Sequence, residues 1–189
     1  KGLDGEKLNS LNKRLVPIPQ TKNSDSTSPS QQQLNNLLEH YQNGRYNDAK
    51  HLAASITEQF PEHQFSWKVL GALLRQTDRI SEALKANQKA VALSPQDAEA
   101  HNNLGNTLKE LGRLDEAEAS CRQAIALKPD FAEAHMNLGI TLKELGRLEE
   151  AKASYKQAIE LKSDFAKTHS NLGNTLKELG RLDEAEASC

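Results

Sequence analysis

Apolar residues in this chain recur at helical spacing in two alternating series. His101, Leu104, Gly105, Leu108 and Leu111 follow an i, i+3, i+4, i+7 rhythm, and after Gly112 a second series runs Leu114, Ala117, Cys121, Ala124, Ile125 and Leu127. Each series fits a helix buried along one face, with charged residues on the other. The alternation is itself periodic. Residues 103–121 read NLGNTLKELGRLDEAEASC and residues 171–189 read the same, while residues 137–155 between them read NLGITLKELGRLEEAKASY. The period is 34 residues. Repetition at that length predicts a stack of two-helix units rather than one globular core.

Glycine and proline punctuate the pattern. Gly44, Gly112, Gly146 and Gly180 stand between the two helices of their units, where a left-handed residue ends a helix without steric cost. Asp78 takes that place in the second unit and fits it less well. Pro61, Pro95 and Pro129 end the second helices; Ser163 replaces the proline in the fourth unit, which predicts a softer stop. Ser28 is placed as the first N-cap, with Pro29 in the first helical position. The expected organisation is a polar tail over 1–29, then units 30–63, 64–97, 98–131, 132–165 and an incomplete 166–189. Leu3, Leu8, Leu11 and Leu15 fit a short helix within the tail, followed by the linker-like QTKNSDSTSPS.

Composition narrows the function classes. Aromatics are 4% of the 189 residues and helix formers dominate, so an all-α chain with small-residue packing is expected. Net charge is −2 with both signs interleaved, so there is no basic stripe for nucleic acid and no polybasic membrane patch. No apolar run approaches the roughly 20 residues that span a bilayer. The chain begins at Lys1 and shows no secretory apolar region; the expected location is cytoplasmic. Cys121 and Cys189 hold equivalent places two units apart, roughly 20 Å by helix stacking. That exceeds the reach of a disulfide, and both are expected as buried packing residues.

Trp67, Leu70, Gly71, Leu74, Ala83 and Pro95 follow the tetratricopeptide pattern, as do Leu104, Gly105, Leu108, Ala117 and Pro129, and Leu138, Gly139, Leu142, Ala151 and Tyr155. The chain from about residue 30 onward thus resembles a tetratricopeptide-repeat protein. The first unit departs from the pattern, with Gln33 at the large apolar position and Leu37 at the small one. The resemblance implies a right-handed α-solenoid of about four and a half helix-turn-helix units, with the first helices lining a concave face that holds a peptide.

Asn103, Asn137 and Asn171 each precede a packing Leu-Gly pair, and Asn106 and Asn174 lie about one turn further along, with Thr107, Thr141 and Thr175 beside them. A carboxamide both donates and accepts, so a row of them suits a peptide backbone. This row resembles the asparagine-lined superhelix of O-linked N-acetylglucosamine transferases. It serves either as a binding ladder or as a structural row that satisfies hydrogen bonds between helices. Neutral hydrogen bonds contribute about 0.5–1.5 kcal/mol each, so the expected binding of any one peptide is weak. Some relatives use a carboxylate clamp instead. Asn106, Asn137 and Lys167 match that clamp, but Asn102 stands where lysine is needed and Asn171 where arginine is needed. In the window one unit earlier Lys68 and Asn103 match, whereas Ala72, Glu133 and Asn137 do not.

His101, His135 and His169 form a second row, at the position of Trp67. Units stacked about 10 Å apart cannot share a metal whose bonds to nitrogen are about 2 Å, so helix packing is their expected role. Lys109, Arg113, Asp115, Glu116 and Glu118 read as a solvated outer surface. Every residue that could be enlisted for catalysis recurs at the repeat period or lies in the tail, so neither a catalytic site nor a cofactor is expected. The function implied is a protein-interaction scaffold that holds a peptide or protein segment through Asn103, Asn106, Asn137, Lys167, Asn171 and Asn174. The alternative is the substrate-recruiting arm of a larger transferase or hydroxylase with its catalytic domain beyond Cys189; a third reading is a spacer. The break inside the fifth unit reads as a fragment, with Leu172, Leu176, Leu179 and Leu182 offering an apolar surface to a second copy.

Overall fold

The computed structural model describes residues 27–180. The leucines of the tail, Leu182, Cys189 and the second helix of the fifth unit lie outside them. The described residues form nine helices and no strand. They are α1 (Gln31–Gln42), α2 (Tyr46–Gln59), α3 (Gln64–Gln76), α4 (Ile80–Leu93), α5 (Ala98–Glu110), α6 (Leu114–Leu127), α7 (Ala132–Glu144), α8 (Leu148–Leu161) and α9 (Ala166–Glu178). The fold is an all-α helical repeat.

Three-residue turns close the hairpins. Gly44, Gly112, Gly146 and Gly180 have φ of 70–75°. After α5 the Arg113 N–H bonds Leu108 C=O at 3.0 Å and the Gly112 N–H bonds Lys109 C=O at 2.9 Å, so the last carbonyls of the helix are satisfied. Asp78 adopts the same turn at φ 60°, the one described non-glycine residue with positive φ. A side chain is strained there. We therefore expect Asp78→Gly to raise stability by about 0.5–1 kcal/mol, read as a higher urea midpoint at unchanged slope.

Two end signals differ from expectation. The first N-cap is Ser30, not Ser28, and α1 starts two residues beyond Pro29. Ser30 and Gln33 form a reciprocal box, in which the Gln33 N–H bonds Ser30 Oγ at 3.2 Å and the Ser30 N–H bonds Gln33 Oε1 at 2.9 Å. Gln33 therefore caps the helix instead of packing. The Ser163 stop is no softer than the proline stops, because α8 has 14 residues like α2, α4 and α6. His169 Nε2 lies 3.0 Å from Ser163 O and the Lys162 ammonium lies 4.9 Å from the Phe165 ring centre, so side chains hold this turn.

The core lies between the two helices of each hairpin and between neighbours. Small residues at one position match large ones at another. A Cβ on Gly139 would stand 2.6 Å from Tyr155 Cε1, and one on Gly105 would stand 2.9 Å from Cys121 Sγ. Cys121 is a buried free thiol whose pKa burial pushes up to about 12. It packs like an apolar side chain and is inert as a nucleophile. Leu111, read as part of a core stripe, is the C-cap of α5 and is 36% exposed. Leu172 and Leu176 pack into one core cluster with Leu138, Leu142 and Tyr155. These two are therefore covered within the chain, whereas Leu179 is half-buried.

Candidate functional site

Packing fixes which side of the stack is the inner one. Each first helix from α3 onward also packs closely against the first helix of the next unit, whereas among the described residues successive second helices approach each other less closely. Closer packing on one side curves the stack toward α3, α5, α7 and α9. Within α5, at about 100° per residue, Gly105 and Leu108 turn toward α6. Asn103, Asn106 and Glu110 then lie on the opposite, inner side. Asn102 and Lys109 turn toward the next unit, and Thr107 toward the preceding one.

Hydrogen bonds agree with this wheel and revise the role of the threonines. Thr107, Thr141 and Thr175 are fully or almost fully buried, and each hydroxyl donates to the carbonyl four residues earlier, on Asn103, Asn137 and Asn171. Thr107 Oγ1 also accepts from Asn87 Nδ2 at 2.8 Å. Thr107 thus joins two units, Thr141 and Thr175 bond within their own helices, and none of the three reaches the groove.

The asparagines differ from one another. Asn137 is 6% exposed, and its Nδ2 donates to Asn102 Oδ1 at 2.8 Å across the unit boundary. Asn103 and Asn171 are half-buried, Asn106 is 9% exposed and Asn174 is exposed. Asn171 Nδ2 is buried without a partner. The difference follows from the neighbour one unit back. Asn102 accepts from Asn137, but the equivalent neighbour of Asn171 is Met136, which offers no strong acceptor. Lys167 is exposed at the start of α9.

Ion pairs tie the first helices together along the same side. Arg75 Nη1 meets Glu110 at 2.9 Å, Lys109 meets Glu144 at 3.9 Å, and Lys143 meets Glu178 at 2.8 Å. Lys109 therefore bridges repeats, although the sequence places it on an outer surface. On the other side Arg122, Glu118, Arg147 and Glu150 close a ring between α6 and α8, with Arg147–Glu118 at 2.6 Å and Arg122–Glu150 at 3.4 Å.

One cluster had no counterpart in the sequence reading. Lys68 is 3% exposed, with its ammonium 2.9 Å from Asp97 Oδ2 and 2.8 Å from Glu99 Oε2. Gln64 Nε2 also donates to Asp97 Oδ2 at 2.9 Å. The other oxygen of Asp97 caps α5, accepting from Glu99 and Ala100 N–H groups at 2.9 and 3.2 Å. Burial pushes the Asp97 carboxyl up, but the charge and hydrogen bond of Lys68, with the Ala100 N–H and Gln64, hold it below the ordinary carboxylate value. The one signal was an aspartate at 97 where 131 and 165 carry phenylalanine. Lys68, a match to the carboxylate clamp by sequence, is occupied by carboxylates of its own chain.

The row of rings clasps the turns between units. Trp67 Nε1 donates to Pro61 O at 2.8 Å, and the Nε2 atoms of His101, His135 and His169 lie 3.0, 2.9 and 3.0 Å from the carbonyls of Pro95, Pro129 and Ser163. Each ring thus serves one local turn. Among the described residues no group of three His, Cys, Asp or Glu side chains is placed to hold a metal, and no helix is long and apolar enough to cross a membrane.

Comparison with known proteins agrees with this geometry. The chain matches the family models described as TPR repeat over residues 71–112 and 141–180, and as tetratricopeptide repeat over 98–131 and again over 120–153. It belongs to the tetratricopeptide-repeat family. As an array of that family it is a protein-interaction scaffold with protein partners. The fold is similar to TTC0263, a thermophilic TPR protein of Thermus thermophilus, at 25% identity and a TM-score of 0.70, covering 84% of this chain and 87% of that one. It is also similar to MamA of Desulfovibrio magneticus RS-1 (18% identity, TM-score 0.75, covering 87% and 92%). PilF of Pseudomonas aeruginosa aligns at 20% identity and a TM-score of 0.75, covering 83% of this chain and 72% of that one. No curated protein matches the chain.

Proposed function

We propose that the inner face binds an extended, mostly uncharged peptide segment of a partner protein through Asn103, Asn106, Asn137, Asn171, Asn174 and Lys167. The observation that carries this reading is the placing of carboxamides of α5 and α9 on one side of the stack. Asn103, Asn106, Asn171 and Asn174 repeat there at an offset of 68 residues. Helix stacking of about 10 Å against about 3.3 Å per extended residue gives roughly one grip per three residues. Asn137, already bonded to Asn102, contributes its remaining oxygen as an acceptor. The pairing of Arg75, Lys109 and Lys143 with glutamates makes the rim close to neutral, which favours polar over strongly charged ligands.

The test is a titration of the 15N-labelled chain with a nine-residue Ser/Thr/Gly peptide carrying one central leucine. The side-chain amides of Asn103, Asn106, Asn171 and Asn174 are expected to shift. Changing all four to Ala should weaken binding about tenfold or more, since two or three neutral hydrogen bonds already supply that. Amides that stay in place, or a variant that binds equally well, would end this reading.

A further inference from the structure

We propose that the Asn43–Gly44 bond is a site of spontaneous modification: the Gly44 nitrogen closes on the Asn43 carboxamide, ammonia leaves, and aspartate or isoaspartate remains at the end of α1. The proposal is independent of the groove reading. Its basis is a break in the turn pattern. The residue before the turn glycine is Leu111, Leu145 and Leu179 in the later units but Asn43 in the first. Asn43–Gly44 is also the one Asn-Gly pair of the sequence.

Geometry favours this bond over other asparagines. Asn43 and Gly44 are both exposed, and nothing lies within 4 Å of the place a Gly44 Cβ would take. Gly44 therefore brings no side chain to hinder its nitrogen, and its surroundings are open. Its hydrogen bond is the longest among the four turn glycines. The Gly44 N–H reaches Tyr41 C=O at 3.2 Å, whereas the Gly112, Gly146 and Gly180 N–H groups reach their acceptors at 2.9, 2.9 and 3.0 Å. The exposed Asn35 and Asn47 lie within α1 and α2, and their side-chain oxygens accept from Gln31 at 2.9 Å and Lys50 at 3.4 Å.

The backbone must move before the ring can close. Asn43 has φ −82° and ψ 7°. A five-membered ring needs Cβ and the Gly44 nitrogen eclipsed about the Cα–C bond, so ψ must turn by more than a right angle. That rotation breaks the Gly44–Tyr41 bond and the Arg45–His40 bond of 2.9 Å. Helix ends open locally at low cost. The freed nitrogen gives its proton to solvent base and bonds Asn43 Cγ. The Cγ–Nδ2 bond breaks, and ammonia leaves with a proton from water. Water then opens the imide at either carbonyl, giving aspartate or, with the main chain rerouted through Cγ, isoaspartate. One water enters and one ammonia leaves, with no oxidant or reductant.

Either product puts a carboxylate at the C-terminal end of α1, where the helix dipole disfavours it, four residues from Glu39. Isoaspartate also lengthens the main chain, so the Tyr41 and His40 carbonyls lose their partners. The modification thereby loosens α1, which supplies Leu37 and Tyr41 to the first core cluster.

The test is peptide mapping by mass spectrometry of the full chain after incubation at neutral pH and body temperature. Fragmentation is expected to place an amide-to-acid exchange at Asn43, in aspartate and isoaspartate forms, about tenfold or more faster than at Asn35 or Asn47. A synthetic peptide of residues 39–47 should react about tenfold faster again, because it has no turn with two hydrogen bonds to open. Asn43→Gln, which would need a six-membered ring, should abolish the change at that position, with folding checked by circular dichroism. An Asn43 that stays intact while the peptide reacts, or that reacts no faster than Asn35 and Asn47, would overturn the proposal. Aspartate without isoaspartate would show direct hydrolysis and overturn the ring closure. Equal rates in chain and peptide would overturn the control by the turn.

Discussion

Tyr155→Ala is expected to destabilise the array by about 3–5 kcal/mol, the range for truncating a buried aromatic. Tyr155 is 1% exposed and sits among Leu138, Leu142, Ala151, Ala158, Leu172 and Leu176. It also fills the space left by Gly139, where a Cβ would stand 2.6, 2.7 and 3.0 Å from three ring carbons. Two backbone-linked elements fix those carbons, so neither can give way cheaply. Gly139→Ala alone should therefore destabilise, although Ala is the better helix former by about 1 kcal/mol. In the Tyr155→Ala background the clash is gone, and the same change should be neutral or stabilising. Urea unfolding of the four proteins reads this coupling, which is expected to exceed about 1 kcal/mol. Equal cost of Gly139→Ala in both backgrounds would show that the tyrosine does not depend on the missing side chain.

That pair explains why so much of the fold was legible. Gly139 and Tyr155, Gly105 and Cys121, and the four turn glycines each meet a steric demand that recurs with the period, so the same letters return every 34 residues. Side-chain bonds between the facing sides of successive first helices obey another offset. Asn102–Asn137, Arg75–Glu110, Lys109–Glu144 and Lys143–Glu178 are all separated by 35 residues, because facing sides of two stacked helices differ by one position. Aligning columns at 34 shows which residues are alike and hides which ones touch. Hence Asn103, Asn137 and Asn171 look equivalent in sequence, although their neighbours at the cross-repeat offset are Lys68, Asn102 and Met136. The Ser30 cap was missed for a simpler reason. Two serines flank Pro29, and only the partner Gln33, itself read as a failed core position, decides between them.

Lys68→Met is expected to cost about 3–5 kcal/mol at pH 7, because it leaves a buried carboxylate without its cation. The side chains of Lys68 and Asp97 are 4% and 5% exposed, whereas Glu99 is 24% exposed and remains in contact with water. The loss should therefore come mainly from Asp97. Its pH dependence separates this cause from simple loss of packing, since Met keeps most of the lysine's apolar stem. In the native chain the Asp97 carboxyl lies below its ordinary value, so its contribution is present above about pH 4 and is lost as pH falls through the folded value. Without Lys68 burial dominates and lifts the carboxyl above the ordinary value. Protonation then relieves the variant as pH falls from 7 toward 4. The stability gap between native and variant chains should shrink over that interval. Asp97→Asn added to Lys68→Met removes the charge but keeps an oxygen for the Glu99 and Ala100 N–H groups, and should recover at least half of the loss at pH 7. A gap that stays constant with pH, or a double variant no better than Lys68→Met, would place the cost in packing and leave the buried charge without consequence.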